Sequence, residues 1–143
     1  MDIFNTFQIS SSALKANTIR LNTISSNLAN VETTSTPEGG AYRKKSVYFE
    51  SRPLSFQKQL ESNMKNSAQG VAVTKILEDD TPPRKVYDPS HPDAQNDGYV
   101  EMPNISVLEE MVDMMSATRA YQANVTTIKS AKRMALKALE IGR

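Results

Sequence analysis

The sequence predicts a mainly α-helical protein in which long N- and C-terminal helices pack antiparallel, like a coiled coil, and flank a small, loop-rich β region. Residues 1–36 and 104–143 contain no proline, and each carries a long stripe of apolar side chains at helical spacing. By contrast, all seven prolines and four of the five glycines lie between Pro37 and Pro103, which excludes helix over most of that span. The predicted organisation is therefore an N-terminal helix segment (1–36), an inserted β and loop region (37–103) and a C-terminal helix segment (104–143).

The N-terminal segment carries a seven-residue repeat that is typical of a coiled-coil seam. Phe7 and three leucines follow one another at intervals of seven residues. A second series is apolar at its ends but polar in its middle, at Ser10 and Asn17. The predicted seam consists of Ile3, Phe7, Leu14, Leu21, Ile24, Leu28 and Val31.

The remaining residues of this segment are poor helix formers. Seventeen of the 36 residues are Ser, Thr or Asn, and only four are charged, whereas an exposed and self-sufficient helix normally carries Glu, Lys and Ala on its outer face. Two interpretations stay open: an ordinary amphipathic helix on its own domain, or an assembly helix that orders when it packs on partners. On the second interpretation, we expect the amino end of the isolated chain to be largely disordered.

The middle region predicts short strands that are joined by turns. Residues 36–40 contain one proline and two glycines and therefore predict a turn. β-Branched and aromatic residues predict strands over 42–51, 71–76 and 84–87. The apolar spacing of 54–66 is compatible with a short helix.

The C-terminal segment predicts a long helix from Ser106 to Ile141. Ser106 and Glu109 have the spacing of a capping box, and Gly142 is placed to end the helix. Acidic residues lie near its start and basic residues near its end, the order that the helix dipole favours. Its predicted apolar face consists of Val107, Met111, Met114, Ala117, Tyr121, Val125, Ile128, Ala131, Ala135 and Leu139.

The composition argues against several classes of function. A net charge of +1 with scattered cations gives no general attraction to nucleic acid or to an anionic membrane. The sequence contains no run of about 18 apolar residues, so we expect no membrane span. The amino end lacks a basic region followed by an apolar block, so we expect no cleaved signal peptide. The absence of cysteine excludes disulfides.

The polar motifs do not predict an enzyme. The single histidine, His91, lies between prolines in a loop, where we expect a structural or solvated side chain rather than a catalyst or a metal ligand. The basic run 43–45 predicts a solvated face at the start of a strand. We therefore expect no cofactor, no metal and no catalytic residues.

Three strings of residues along the chain resemble those of a known family. The first runs from Ser25 to Arg43, the second from Val86 to Asn104, and the third from Glu110 to Arg143. They resemble the bacterial flagellar rod and hook proteins, and in particular the FlgC-type proximal-rod family. Together they cover nearly the whole chain in the order that the family has. The motif residues that carry the resemblance are Asn27, Ala29, Asn30, Pro37, Gly40, Tyr42, Asp88, Pro89, His91 and Pro92.

The turn after the first string separates this chain from part of that group. In the shorter rod and hook signature, the Asn-Val segment runs almost directly into Thr-Pro-Gly-Tyr. Here, residues 33–36 and 38–41 lengthen the turn. The longer turn resembles the FlgC-type pattern and argues against a distal rod or hook protein.

The resemblance implies a non-enzymatic structural subunit of the flagellar basal-body proximal rod, a hollow drive shaft that transmits torque. It further implies export by the flagellar type III apparatus without a cleaved signal and polymerisation in the periplasm. The implied partners are copies of the chain, other proximal-rod proteins, the basal-body rings and the export apparatus, and neither nucleic acid nor direct membrane insertion is implied. The clustered methionines favour a C-terminal assembly face of Met111, Met114, Met115, Arg119, Tyr121, Asn124, Val125, Ile128 and Leu139.

Two other interpretations are open at this stage. A soluble coiled-coil adaptor would use the same apolar stripes to bind one partner helix and would never polymerise. Another flagellar axial protein, of the distal rod or the hook, would share the terminal motifs. A helical tube formed with rod partners is expected of a rod subunit and not of the adaptor.

Overall fold

The computed structural model describes residues 3–51 and 70–141. It confirms a mainly helical fold with a small β region between two long helices. The short helix considered for 54–66 and the helix end considered at Gly142 lie outside the described residues. In chain order the elements are α1 (Ile3–Ala29), β1 (Lys45–Ser51), β2 (Val71–Glu78), β3 (Arg84–Tyr87), β4 (Tyr99–Met102) and α2 (Val107–Ile141).

The chain divides into two compact units. Unit 1 comprises Met1–Ile19, Tyr48–Lys75 and Ala117–Arg143, and unit 2 comprises Arg20–Val47 and Ile76–Ser116. Both helices contribute residues to both units. Neither described helix combines the length and the apolarity needed to cross a membrane.

Helix α1 is shorter than the predicted segment 1–36, because the chain turns after Ala29. At the end of the helix, the Asn30 backbone N–H and its Nδ2 both donate to the carbonyl oxygen of Ser26, at 3.1 and 2.8 Å. In the turn that follows, the Thr33 N–H donates to the Asn30 carbonyl oxygen at 3.1 Å. Val31, which we predicted as part of the helical seam, therefore lies in the turn.

Helix α2 agrees closely with the prediction. The Ser106 Oγ accepts a hydrogen bond from the Glu109 backbone N–H at 3.4 Å, as the capping box requires of its first partner. The first backbone bond of the helix runs from the Glu110 N–H to the Ser106 carbonyl oxygen at 3.0 Å. The helix then continues for 35 residues.

The β region contains two separate two-stranded sheets. In the first, β1 pairs with β2, and the Asp79 N–H donates to the Lys44 carbonyl oxygen at 2.8 Å where β1 begins and β2 ends. In the second, β3 pairs with β4 in antiparallel register, and Val86 lies opposite Val100. The sequence analysis missed β4, because its four residues follow a proline-rich loop and precede Pro103.

The β3–β4 hairpin is shaped at its loop end by Gly98. This residue has a φ of 78°, and an added Cβ would lie 2.8 Å from the Cε2 atom of Tyr87. The Tyr87 ring packs edge-on against Tyr99, with 5.3 Å between ring centroids. A side chain at position 98 would therefore both strain the backbone and displace this aromatic pair.

Candidate functional site

The most highly organised group of side chains in the described part of the chain is centred on Asn27, in the last turn of α1. Asn27 is 1% exposed. Its Nδ2 donates to the Lys45 carbonyl oxygen at 2.8 Å and to the Glu110 Oε2 at 3.1 Å. Its Oδ1 accepts from the Lys45 backbone N–H at 2.9 Å and from the Tyr42 hydroxyl at 3.2 Å. The two donors and two acceptor positions of the amide are thus all used.

Glu110, in the first turn of α2, completes this group. Its side chain is 2% exposed, its Oε1 lies 2.8 Å from the Lys44 Nζ, and its Oε2 accepts from Asn27. The hydrogen bond to Glu110 raises the pKa of Lys44, which outweighs the lowering effect of partial burial. We call Asn27, Tyr42, Lys44, Lys45 and Glu110 the Asn27 cluster.

The loop after α1 returns the chain to this cluster. The Thr36 N–H donates to the Gly40 carbonyl oxygen at 3.0 Å, and the Tyr42 N–H donates to the Thr33 carbonyl oxygen at 3.1 Å. Gly39 and Gly40 have φ angles of 93° and 81°, which glycine adopts without steric cost. These turns bring the chain back beside α1. The Tyr42 hydroxyl therefore lies 3.3 Å from the Ser26 Oγ.

A second contact fixes the relative direction of the two helices in unit 2. Arg20, which lies about two turns before Asn27, forms an ion pair with Asp113 at 3.5 Å, whereas Asn27 donates to Glu110. Contact positions therefore advance along α1 while they recede along α2. The helices run antiparallel here, as predicted.

The predicted N-terminal seam is covered to different degrees. Ile24 is 5% exposed and belongs to the core. The other six predicted residues are intermediate in exposure, and Val31 is beyond the helix. The most deeply buried side chain of α1 is instead Asn27, which lies on the same turn as Ile24.

The family motif residues fall into two groups. Asn27, Asn30, Gly40 and Tyr42 build the Asn27 cluster or its return loop, whereas Ala29 and Pro37 are exposed on the same stretch. Asp88, Pro89, His91 and Pro92 lie in the β3–β4 loop, where the Asp88 Oδ1 accepts from the Ser90 N–H at 3.1 Å and the His91 Nδ1 accepts from the Asp93 N–H at 3.1 Å.

The predicted C-terminal assembly face is largely exposed in the chain on its own. Met111, Met115, Tyr121 and Leu139 are between 37% and 72% exposed, and Arg119 is also exposed. Met114, Asn124, Val125 and Ile128 are intermediate. The covered side of α2 instead carries one residue every seven positions: Glu110, Ala117, Asn124 and Ala131.

The start of α2 carries a continuous exposed apolar surface. Its members are between 42% and 73% exposed and recur at spacings that place them on one side of the helix. Contiguous exposed apolar surface of this kind marks a site of protein interaction. We call it the α2 apolar face; it consists of Val107, Leu108, Met111, Val112 and Met115.

None of the three charged members of the Asn27 cluster was predicted to take part in a buried network. Lys44 was predicted as part of a solvated basic run, which is wrong because its Nζ is bonded to a buried carboxylate. Glu110 was considered only as one of the acidic residues near the helix start. One signal was available, since Glu110 shares the seven-residue spacing of Ala117, Asn124 and Ala131.

Comparisons with known proteins identify the family of the chain. Residues 7–35 match the flagella basal body rod protein family, and residues 96–141 match the C-terminal region of the flagellar basal body rod FlgEFG proteins. The flagellar basal-body rod protein FlgC of Bacillus subtilis is 45% identical, over 100% of both chains. FlgC of Borreliella burgdorferi is 42% identical over 99% of this chain and 98% of its own. FlgC of Salmonella typhimurium is 41% identical over 100% of both chains.

The full-length matches decide between the flagellar alternatives. The C-terminal family model is shared among several rod and hook-type proteins, but these relatives correspond to the chain from end to end and carry one name. The chain belongs to the FlgC family of flagellar basal-body rod proteins, and it is a structural subunit of the proximal rod.

Proposed function

We propose that the chain polymerises with other rod subunits into a hollow shaft, with α1 and α2 at the assembly core, and that the packed seams transmit torque. The α2 apolar face carries this proposal. Leu108 is 73% exposed and Val112 is 52% exposed, although both lie on a regular helix that could have carried polar residues there. Neighbouring subunits that cover this face would remove its apolar area from water.

The partners in this proposal are further copies of the chain, other proximal-rod proteins and the surrounding basal-body rings. Export through the flagellar type III apparatus without a cleaved signal, and assembly in the periplasm, complete the proposed route. The proposed role is mechanical rather than enzymatic. Its support is the family membership together with long helices that expose apolar residues.

The proposed seam residues divide between the two helices. Six of the seven residues of the predicted seam lie on α1, where Leu21 is intermediate in exposure, and Val31 lies in the turn that follows. On α2 they are the nine residues of the C-terminal assembly face. We expect these side chains to become more deeply buried when neighbouring subunits pack against them.

The first test replaces Leu108 by Asp. Because Leu108 is exposed, the free subunit should keep its fold, whereas a charge placed in a covered apolar interface should block rod assembly. Gln122→Asp is the matched control, since it adds the same charge at an exposed polar position of the same helix. Swimming in soft agar and electron microscopy of isolated basal bodies measure the outcome.

A second variant tests α1 in the same way. Leu21→Asp should also block assembly, and Asn22→Asp adds the same charge at the neighbouring exposed position. Normal rods and normal swimming with both Leu108→Asp and Leu21→Asp would refute the proposed assembly core. Electron microscopy of the purified chain with its rod partners separates the adaptor alternative, because only a rod subunit forms a tube.

A further inference from the structure

The Asn27 cluster is unusual for the centre of a small protein because it is polar. Among residues 3–51 and 70–141, the three largest fully buried side chains are Glu110, Val100 and Asn27, and two of these three belong to the cluster. Every buried side-chain nitrogen or oxygen atom in the described part of the chain has a hydrogen-bond partner. A fully satisfied buried network of this kind favours one arrangement of its elements over all others.

We propose that the Asn27 cluster is a conformational latch that joins the end of α1, the start of β1 and the start of α2 in the free subunit, before any neighbour binds. All of its residues lie within unit 2. Every hydrogen-bond and ion-pair partner in the latch is therefore supplied by the subunit itself. This proposal concerns the free subunit and stands independently of the rod function.

The latch favours one alignment of α1 and α2, because any other alignment would leave buried polar groups without partners. If α2 slid by one turn along α1, Glu110 would leave both Lys44 and Asn27, and a buried carboxylate would lose its partners. Asn27 would at the same time lose its hydrogen bond to Glu110. Its two bonds to the Lys45 backbone do not involve α2 and would not replace that bond. An apolar contact of the same size would tolerate such a shift far better, since dispersion is not directional.

The latch also determines how the α2 apolar face is presented. Glu110 and Met111 are adjacent in the first turns of α2, so a bonded Glu110 holds that turn in helical form while Met111 points to another side. The free subunit then offers an ordered apolar surface to its neighbour. Ordering this helix start in advance removes part of the entropy loss that would otherwise accompany assembly.

Amide hydrogen exchange of the full-length free subunit tests the latch, and one amide reports on it directly. The Lys45 N–H donates to the Asn27 side chain itself, so Asn27→Ala should accelerate its exchange by at least about tenfold, together with the hydrogen-bonded amides of α2 that begin at Glu110. Asn22→Ala removes an exposed amide from the same helix and should leave both regions unchanged.

A milder variant keeps the test decisive if Asn27→Ala does not fold. Glu110→Gln preserves the size of the side chain and its ability to accept a hydrogen bond, but it removes the charge that pairs with Lys44. We expect faster exchange confined to unit 2, and no change in Glu109→Gln, which alters the exposed neighbour. The latch is refuted if Glu110→Gln exchanges like the wild type, or if these amides already exchange at free-peptide rates in the wild-type free subunit.

Discussion

Units 1 and 2 bury different kinds of side chain. In unit 2 the buried residues include Ile24, Val100, Asn27 and Glu110, so apolar packing and a satisfied polar network occur together. In the described part of unit 1 the buried residues are small. They are Ser10, Ala16, Ala117 and Ala131.

This difference indicates two roles within one short chain. Burying a small side chain removes little apolar area from water and so contributes little to stability, at about 25 cal/mol per Å². Small residues do allow backbones to approach closely, which suits helices that pack against several neighbours. We infer that unit 2 is stable in the free subunit, whereas unit 1 gains most of its stability in the assembled rod.

The largest effect is expected from Glu110→Ala. The substitution leaves Lys44 and Asn27 without their shared partner, and breaking such a pair costs about 3–5 kcal/mol. Urea denaturation of the free subunit measures the loss. Glu109→Ala should change stability by less than about 0.5 kcal/mol, because Glu109 is exposed; equal effects of the two substitutions would remove the distinction between the units.

A smaller loss is expected from Val100→Ala. Val100 is 0% exposed and lies opposite Val86 in the β3–β4 hairpin, so truncation leaves a cavity and should cost about 2 kcal/mol. Val112→Ala is the matched control, since Val112 is 52% exposed. It should leave the free energy of unfolding of the free subunit nearly unchanged.

The alkaline stability of unit 2 should depend on Lys44. Its pKa is raised above the ordinary value of 10.5, so the folded state holds this proton more tightly than the unfolded state. The contribution is complete below pH 10.5 and is lost as pH rises through the folded-state pKa. When denaturation is measured between pH 8 and pH 12, the free energy of unfolding should therefore decline at the alkaline end of the range. The free energy of unfolding should change less with pH in Lys44→Met than in Lys85→Met.

The smallest effect on the free subunit is expected from Ala131→Leu in unit 1. Enlarging a tightly packed residue normally costs about 1–3 kcal/mol. Because we infer that unit 1 gains most of its stability in the assembled rod, the unfolding free energy of the free subunit should fall by less than about 0.5 kcal/mol. The same substitution should prevent incorporation into rods. A loss of the full overpacking penalty in the free subunit would mean that unit 1 is already firmly packed there.

Local sequence signals predicted the helices well, because the interactions that start a helix or form a turn involve residues close together in the sequence. The Ser106 cap and the return turn at Gly39 and Gly40 follow from chemistry that neighbouring residues supply. The Asn27 cluster joins residues 83 positions apart, such as Asn27 and Glu110, and no local pattern specifies that distance. Lys44 illustrates the difficulty, since a lysine in a basic run looks solvated until a buried carboxylate is found beside it.

The β region was predicted less completely than the helices. Strands β1 to β3 were expected from their β-branched and aromatic residues, whereas β4 has four residues and depends on β3 for its hydrogen bonds. The end of α1 was placed too late, because the residue types around Asn30 also occur throughout the helix. Local residue types therefore did not specify this boundary, and the pairing with β3 decided that of β4.

The most direct test of the assembly account is an electron cryo-microscopy structure of the assembled rod, resolved to side chains. We predict that Leu108 and Leu139, which are 73% and 72% exposed in the chain alone, become buried against neighbouring subunits. The Asn27 cluster should remain closed within each subunit. A rod in which both leucines still face water, or in which Glu110 has left Asn27, would contradict the account.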